Sequence, residues 1–174
     1  MKQIDIMKKI GLFWGSETGN TEHAAGIIAD TIGNDFVDSY NIRDVSPDTL
    51  AGYDALIIGS STWGAGELQD DWYNFYGKLD SFDLGGKTVA FFGLGDQLSY
   101  GDYYLDAMGI LYEKFIERGA KVTGSWPVDG YEYSSSKAVV HGSFVGLALD
   151  ADNQDHLTHS RVQAWVEQIK PVLF

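Results

Sequence analysis

Two stretches of this chain, Ala55-Leu56-Ile57-Ile58-Gly59 and Thr88-Val89-Ala90-Phe91-Phe92-Gly93-Leu94, are apolar throughout. A strand with one wet face alternates polar and apolar residues, so a strand without polar positions must be covered on both faces. Such strands belong to parallel sheets sandwiched between helices, and the rest of the chain supplies the helices. Ile10-Gly11-Leu12-Phe13-Trp14 is a similar run, followed over 20–32 by a helical pattern with Ala24, Ala25, Ile28, Ala29 and Ile32 on one face. Residues 36–42 read as a weaker strand, with a short helix or turn after Ser46 and Pro47. Further helices are predicted over 69–79, over 104–118 with Gly119 behind it, and over 157–172. A fifth strand starts over 121–126. The expected class is α/β: a doubly wound, five-stranded parallel sheet in the order 2-1-3-4-5 with helices on both faces.

At 174 residues the chain has the length of one domain, with residues 7–174 expected to form it. Met7-Lys8-Lys9-Ile10 reads like a start, so residues 1–6 are expected to be an N-terminal extension. With no cysteine there are no disulfides or thiolate sites, and no run approaches the ~20 apolar residues that span a bilayer. A cytoplasmic location is the expectation. Twelve basic residues against 25 acidic ones give a formal charge of −13. That excludes nucleic acid and anionic membranes as natural partners and favours proteins with basic surfaces.

Ligands of a doubly wound sheet bind beyond the carboxyl ends of its strands, where the order reverses between strands 1 and 3. The loop after the first strand is Ser16-Glu17-Thr18-Gly19-Asn20-Thr21. Ahead of a helix N-terminus it offers unpaired N–H groups, the positive end of the helix dipole and hydroxyl donors. Lacking the lysine of a nucleoside-triphosphate loop, it suits one phosphate monoester that is held and not cleaved; an ordinary helix cap is the plainer reading. The loop after strand 3 (Ser60-Ser61-Thr62-Trp63-Gly64-Ala65-Gly66-Glu67-Leu68) and the loop after strand 4 (Gly95-Asp96-Gln97-Leu98-Ser99-Tyr100-Gly101-Asp102-Tyr103-Tyr104) each hold an aromatic among glycines and polar residues. Trp63 and Tyr100 flanking one cleft point to a planar ring stacked between them, hence a flat heterocycle carrying a phosphate. His156 and His159 lack a third ligand, so no metal site is expected.

These three loops, in their order and spacing, resemble the FMN-binding loops of the flavodoxins. Residues 130–146 interrupt strand 5, whose apolar character resumes at Phe144-Val145-Gly146-Leu147-Ala148-Leu149, and Asp150-Ala151-Asp152-Asn153-Gln154 follows. That pattern resembles the long-chain members. The resemblance implies that Ser16, Glu17, Thr18, Gly19, Asn20 and Thr21 wrap the FMN phosphate, and that Thr62, Trp63, Gly64, Ala65 and Gly66 line the inner face and N5 edge of the ring. It further implies that Tyr100 stacks on the outer face, and that Gly95, Asp96 and the main chain of Tyr103 meet the pyrimidine edge. Asp152 approaches the ribityl chain.

The function implied is that of a low-potential one-electron carrier, not an enzyme, working mainly between semiquinone and hydroquinone. A Gly64 carbonyl turned toward N5 would accept the semiquinone's proton, and residue 64 is expected to move to positive φ as it turns. Eight acids against two bases between Ser61 and Asp106 disfavour the anionic hydroquinone. Implied partners are redox proteins with basic docking surfaces, of the ferredoxin–NADP reductase or photosystem kind, met by a monomer. An FMN-dependent NAD(P)H:quinone oxidoreductase on the same fold is the alternative, although Tyr100 would block the face that hydride transfer needs. A non-redox FMN-binding module is a third reading.

Overall fold

The structure, a computed structural model, describes residues 9–174. The expected extension over 1–6 lies outside the described residues. Strands β1 (Ile10–Trp14), β2 (Val37–Asn41), β3 (Ala55–Trp63) and β5 (Thr88–Leu94) lie side by side, all parallel, in the order β2-β1-β3-β5. The short strand β4 (Glu67–Leu68) folds back antiparallel on the end of β3. The fifth position is shared by two segments. β6 (Lys121–Thr123) pairs with Thr88, Val89 and Ala90, and β10 (Leu147–Leu149) pairs with Phe92, Gly93 and Leu94. Both are parallel to β5, so the 2-1-3-4-5 arrangement holds with its last strand split.

Between the halves, β7 (Trp126–Pro127), β8 (Val139–Val140) and β9 (Ser143–Phe144) form a separate antiparallel sheet in the order β7-β9-β8. Phe144 was expected to resume the fifth strand; it pairs instead with Trp126 and Val139, and the main sheet resumes at Leu147.

Two-sided burial is what the apolar runs required. Leu12, Ile57, Phe92 and Leu147 face helices α1 (Asn20–Ile32) and α5 (Thr158–Leu173) together with Trp165. Their chain neighbours Phe13, Ile58, Phe91 and Ala148 face the opposite layer with Trp72, Leu111 and Phe115 of α3 (Asp70–Tyr76) and α4 (Asp106–Glu117). Each such side chain stabilises the fold by roughly 1.5–3 kcal/mol on burial. Alanines 24, 25 and 29 keep the buried face of α1 flat against the strands. Lys170 of α5 donates to the carbonyl of Ile32 at 3.3 Å, placing a cation at the negative end of α1.

Two helix boundaries depart from expectation. The helix predicted over 69–79 is the seven-residue α3 followed by a 3-10 turn over Gly77–Ser81, the tighter winding that often ends an α-helix. The one predicted over 104–118 starts only at Asp106, since Leu105 sits in left-handed backbone with φ 59°. A short helix α2 (Pro47–Ala51) follows Ser46. Among the described residues no helix is long and apolar enough to cross a membrane.

Candidate functional site

The carboxyl ends of β1, β3 and β5 open onto a cleft of about 400 Å³. Thr18, Asn20, Thr62, Trp63, Gly64, Gly95, Asp96, Tyr100, Tyr103 and Asp152 line it, so all three sequence-identified loops converge there. Ser16, Glu17, Gly19, Thr21, Ala65 and Gly66 stand behind or beside this lining. Ser61, Leu94, Tyr104, Leu105 and Ala151 also reach the cleft. Sequence reasoning passed over these five; their neighbours in the same loops were the available signal.

The anion loop is shaped by its own backbone. Gly19 precedes α1 with φ 94°, a conformation that costs a side-chain-bearing residue roughly 1–2 kcal/mol. Its N–H donates to Ser16 Oγ at 3.0 Å, which leaves the Ser16 hydroxyl proton to donate elsewhere. No side chain caps α1, so the N–H groups of its first turn point outward without an intrahelical acceptor. Thr21 is 1% exposed as a residue, but its hydroxyl has no hydrogen-bond partner among the described residues and its oxygen keeps access to solvent. The cleft lining contains no lysine, arginine or histidine. A cradle of neutral donors at a helix N-terminus can hold a phosphate but has no cation to help cleave one.

Glu17 turns its carboxylate away from this cradle. Gln69, fully buried, donates Nε2 to Glu17 Oε2 and to Asp71 Oδ2, both at 2.8 Å, while its Oε1 accepts the N–H of Trp72 at 3.4 Å. One amide thereby caps α3 and ties the loop after β1 to the loop after β3. Only the three-dimensional fold shows Gln69 as a keystone. Asp71 is half-buried, with its carboxylate held by this bond.

In the loop after β3, Trp63 is 38% exposed and its Nε1 donates to Ser61 Oγ at 2.8 Å, which fixes the indole plane at the rim. Thr62 Oγ1 accepts the N–H of Ala107 at 3.0 Å. Trp63 pairs with Glu67 across the β3–β4 hairpin, leaving residues 64–66 as its turn. Gly64 already has φ 54°, so the expected move of this residue to positive φ is corrected: the turn stands there as it is. Rotating the 64–65 peptide changes ψ of Gly64 and φ of Ala65, so a reversal of the Gly64 carbonyl loads positive φ onto Ala65.

The loop after β5 is wound on itself. Asp96 Oδ1 accepts from the N–H groups of Leu98 and Ser99 and from Asn153 Nδ2 at 2.8–3.2 Å. Burial works to raise the Asp96 pKa, but these hydrogen bonds outweigh it and hold the carboxyl below its ordinary value. The Tyr103 N–H, expected to serve the cleft, donates to the Tyr100 carbonyl at 3.0 Å, so that donor is spent inside the loop. Beneath lies Asp150, fully buried, which accepts from Gln97 N–H and Nε2, from Asn153 N–H and Nδ2, and from Asp152 N–H. Burial, then the nearby carboxylates of Asp96 and Asp150, push Asp152 above its ordinary value. Tyr100 stands out from the loop, 57% exposed.

A family model described as flavodoxin matches residues 12–165, from β1 into α5. A flavodoxin of Synechocystis is 53% identical over 168 residues, 96% of this chain and 99% of that one. Flavodoxin 2 of Escherichia coli K12 is 49% identical over 162 residues, 92% of this chain and 94% of its own. Among solved structures, a Fusobacterium nucleatum flavodoxin bound to flavin mononucleotide superposes with a TM-score of 0.92 at 32% identity, covering 97% of this chain and 100% of that one. Convergence of the three loops on one cleft and kinship over nearly the full length lead to one conclusion: the chain belongs to the flavodoxin family.

Proposed function

We propose that this protein holds one FMN non-covalently in the cleft and serves as a low-potential one-electron carrier. The observation that carries the reading is the cradle at the start of α1, where the first-turn backbone N–H groups and the Thr21 hydroxyl have no side-chain cap or hydrogen-bond partner among the described residues and suit a phosphate monoester. The cleft fits the rest of the group: Trp63 and Tyr100 are aromatic residues of its lining, and Gly95 and Asp96 belong to the same lining. When bound, FMN supplies the redox chemistry; the chain binds it, orients it and sets the cost of adding charge.

Eight acids against two bases over residues 61–106 disfavour a further negative charge on the ring, so the working couple lies between the half-reduced and fully reduced flavin. Glu67, Asp70 and Asp102 are exposed around the cleft and favour redox partners with basic docking surfaces, such as a reductase of the ferredoxin–NADP type. A cytoplasmic monomer accords with the net charge and the absence of cysteine. Stepwise anaerobic reduction of the purified protein tests the proposal: two separated one-electron steps support it, and a single two-electron step refutes it. NADPH without a reductase should leave the protein oxidised; rapid direct reduction would favour a quinone oxidoreductase instead.

A further inference from the structure

Asp106 opens α4, is 3% exposed and does not line the cleft. Its Oδ1 accepts the N–H of Lys137, in the segment that interrupts the fifth strand, at 2.7 Å. On its other side it packs against Gly66: a Cβ on that glycine would lie 2.5 Å from Asp106 Oδ2 and 3.2 Å from its Cβ. The next residue, Ala107, gives its N–H to Thr62. One turn along, a Cβ on Gly109 would meet the backbone of Lys137 and come within 2.8 Å of Ala138 N. The first turn of α4 is therefore a common seat for the 64–66 turn and for the 137–138 segment, with Asp106 touching both. The preceding Leu105 is held at φ 59°, a strained conformation of roughly 1–2 kcal/mol for a branched side chain, and this presents Asp106 inward.

We infer that Asp106 is a positioning residue that couples the insertion to the 64–66 turn, so that disturbing one of these segments is felt at the other. The inference rests on the proposed function only in giving that turn a redox role. The coupling itself is a property of the polypeptide. Burial, the largest influence, pushes the Asp106 carboxyl above its ordinary value, in keeping with a carboxylate packed between two segments instead of facing water.

The test is amide exchange at Lys137, read by NMR on the full-length protein as purified and referenced to Leu84. The Leu84 N–H is held by the Arg118 carbonyl at the far end of β5. Asp106→Ala should speed exchange at Lys137 by about tenfold or more, as expected for loss of a bond to a charged acceptor. Asp106→Asn keeps an acceptor and should recover most of the protection. Gly66→Ala, distant in sequence, should also speed Lys137 by displacing the carboxylate, but should add less than about twofold in the Asp106→Ala background. Unchanged exchange in Gly66→Ala, or full additivity of the two substitutions, overturns the inference. Gly66→Ala does not alter the Asp106 side chain chemically, so its exchange decides the matter even if Asp106→Ala does not fold. In FMN-loaded protein, Asp106→Ala should shift the first reduction potential while Asp106→Asn stays near the wild type; equal shifts in both would overturn a positioning role of Asp106 toward the 64–66 turn. Failure to hold FMN would end the functional proposal, while the exchange results would still decide the coupling.

Discussion

Thr21→Val separates ligand binding from folding more sharply than any other single change in this cleft. The two side chains have the same shape and nearly the same helix propensity, so the substitution removes a hydroxyl and little else. In the protein alone that hydroxyl has no hydrogen-bond partner among the described residues, and although the residue as a whole is buried its oxygen keeps access to solvent. Replacing it with a methyl should leave the stability of the FMN-free protein nearly unchanged, because no hydrogen bond within the protein is lost. A hydroxyl donating to a phosphate, by contrast, is worth about 1.5–3 kcal/mol, the range for hydrogen bonds to charged groups. At about 1.4 kcal/mol per tenfold, FMN affinity should fall by about 10- to 150-fold. Calorimetric titration of FMN-free protein with FMN and with riboflavin, alongside urea unfolding, measures all three quantities. Riboflavin has no phosphate, so its weaker binding should be untouched. Equal losses for both ligands, or no loss for FMN, would show that Thr21 does not face the phosphate.

Ala65→Gly should raise the first reduction potential by about 40–90 mV: reversal of the 64–65 peptide drives residue 65 to positive φ, where a Cβ costs roughly 1–2 kcal/mol, and ~59 mV corresponds to tenfold for one electron. Spectroelectrochemistry reads this directly, and an unchanged or lower potential would exclude the reversal at that peptide. Asp70→Lys with Asp102→Lys, both exposed and outside the Gln69 clamp, should slow electron transfer from a basic reductase at low salt and flatten its ionic-strength dependence, since screening acts over ~8–10 Å at physiological salt. Stopped-flow rates indifferent to both salt and charge would place docking elsewhere. Two carboxylates should show opposite pH linkage in urea midpoints. Asp38, lowered chiefly by the Tyr53 hydrogen bond, contributes stability above its ordinary value of 3.8 that disappears as pH falls through its folded value, so Asp38→Asn should matter least in acid. Asp152, raised by burial and by Asp96 and Asp150, costs stability above its folded value, so Asp152→Asn should stabilise at neutral pH and lose that advantage as pH falls toward 3.8.

Local pattern carried much of this protein into view. Two-sided apolar runs imply parallel strands, and the run from Asn20 to Ile32 marks a helix whose ends coincide with α1, because periodicity records which side chains are buried. The glycine- and hydroxyl-rich loops were legible for the same local reason: their backbone conformations and donors are properties of adjacent residues.

What the sequence could not disclose depends on residues brought together across long stretches of chain. Gln69 clamps Glu17 from 52 positions away, and its amide reads as an unremarkable helix-flanking residue until β1 and β3 lie side by side. Asp150 gathers five donors from three residues only because strand β10 returns beside β5. The apolar residues 144–149 looked like one strand, but hydrophobicity reports burial and not which neighbour provides it; Phe144 is buried in the small antiparallel sheet and Leu147 in the main one. Asp106 counted in the sequence only as one of the eight acids between Ser61 and Asp106. Its burial between Gly66 and Lys137 was decided by tertiary packing, since no local signal tells a carboxylate at a helix start whether water or another segment will cover it.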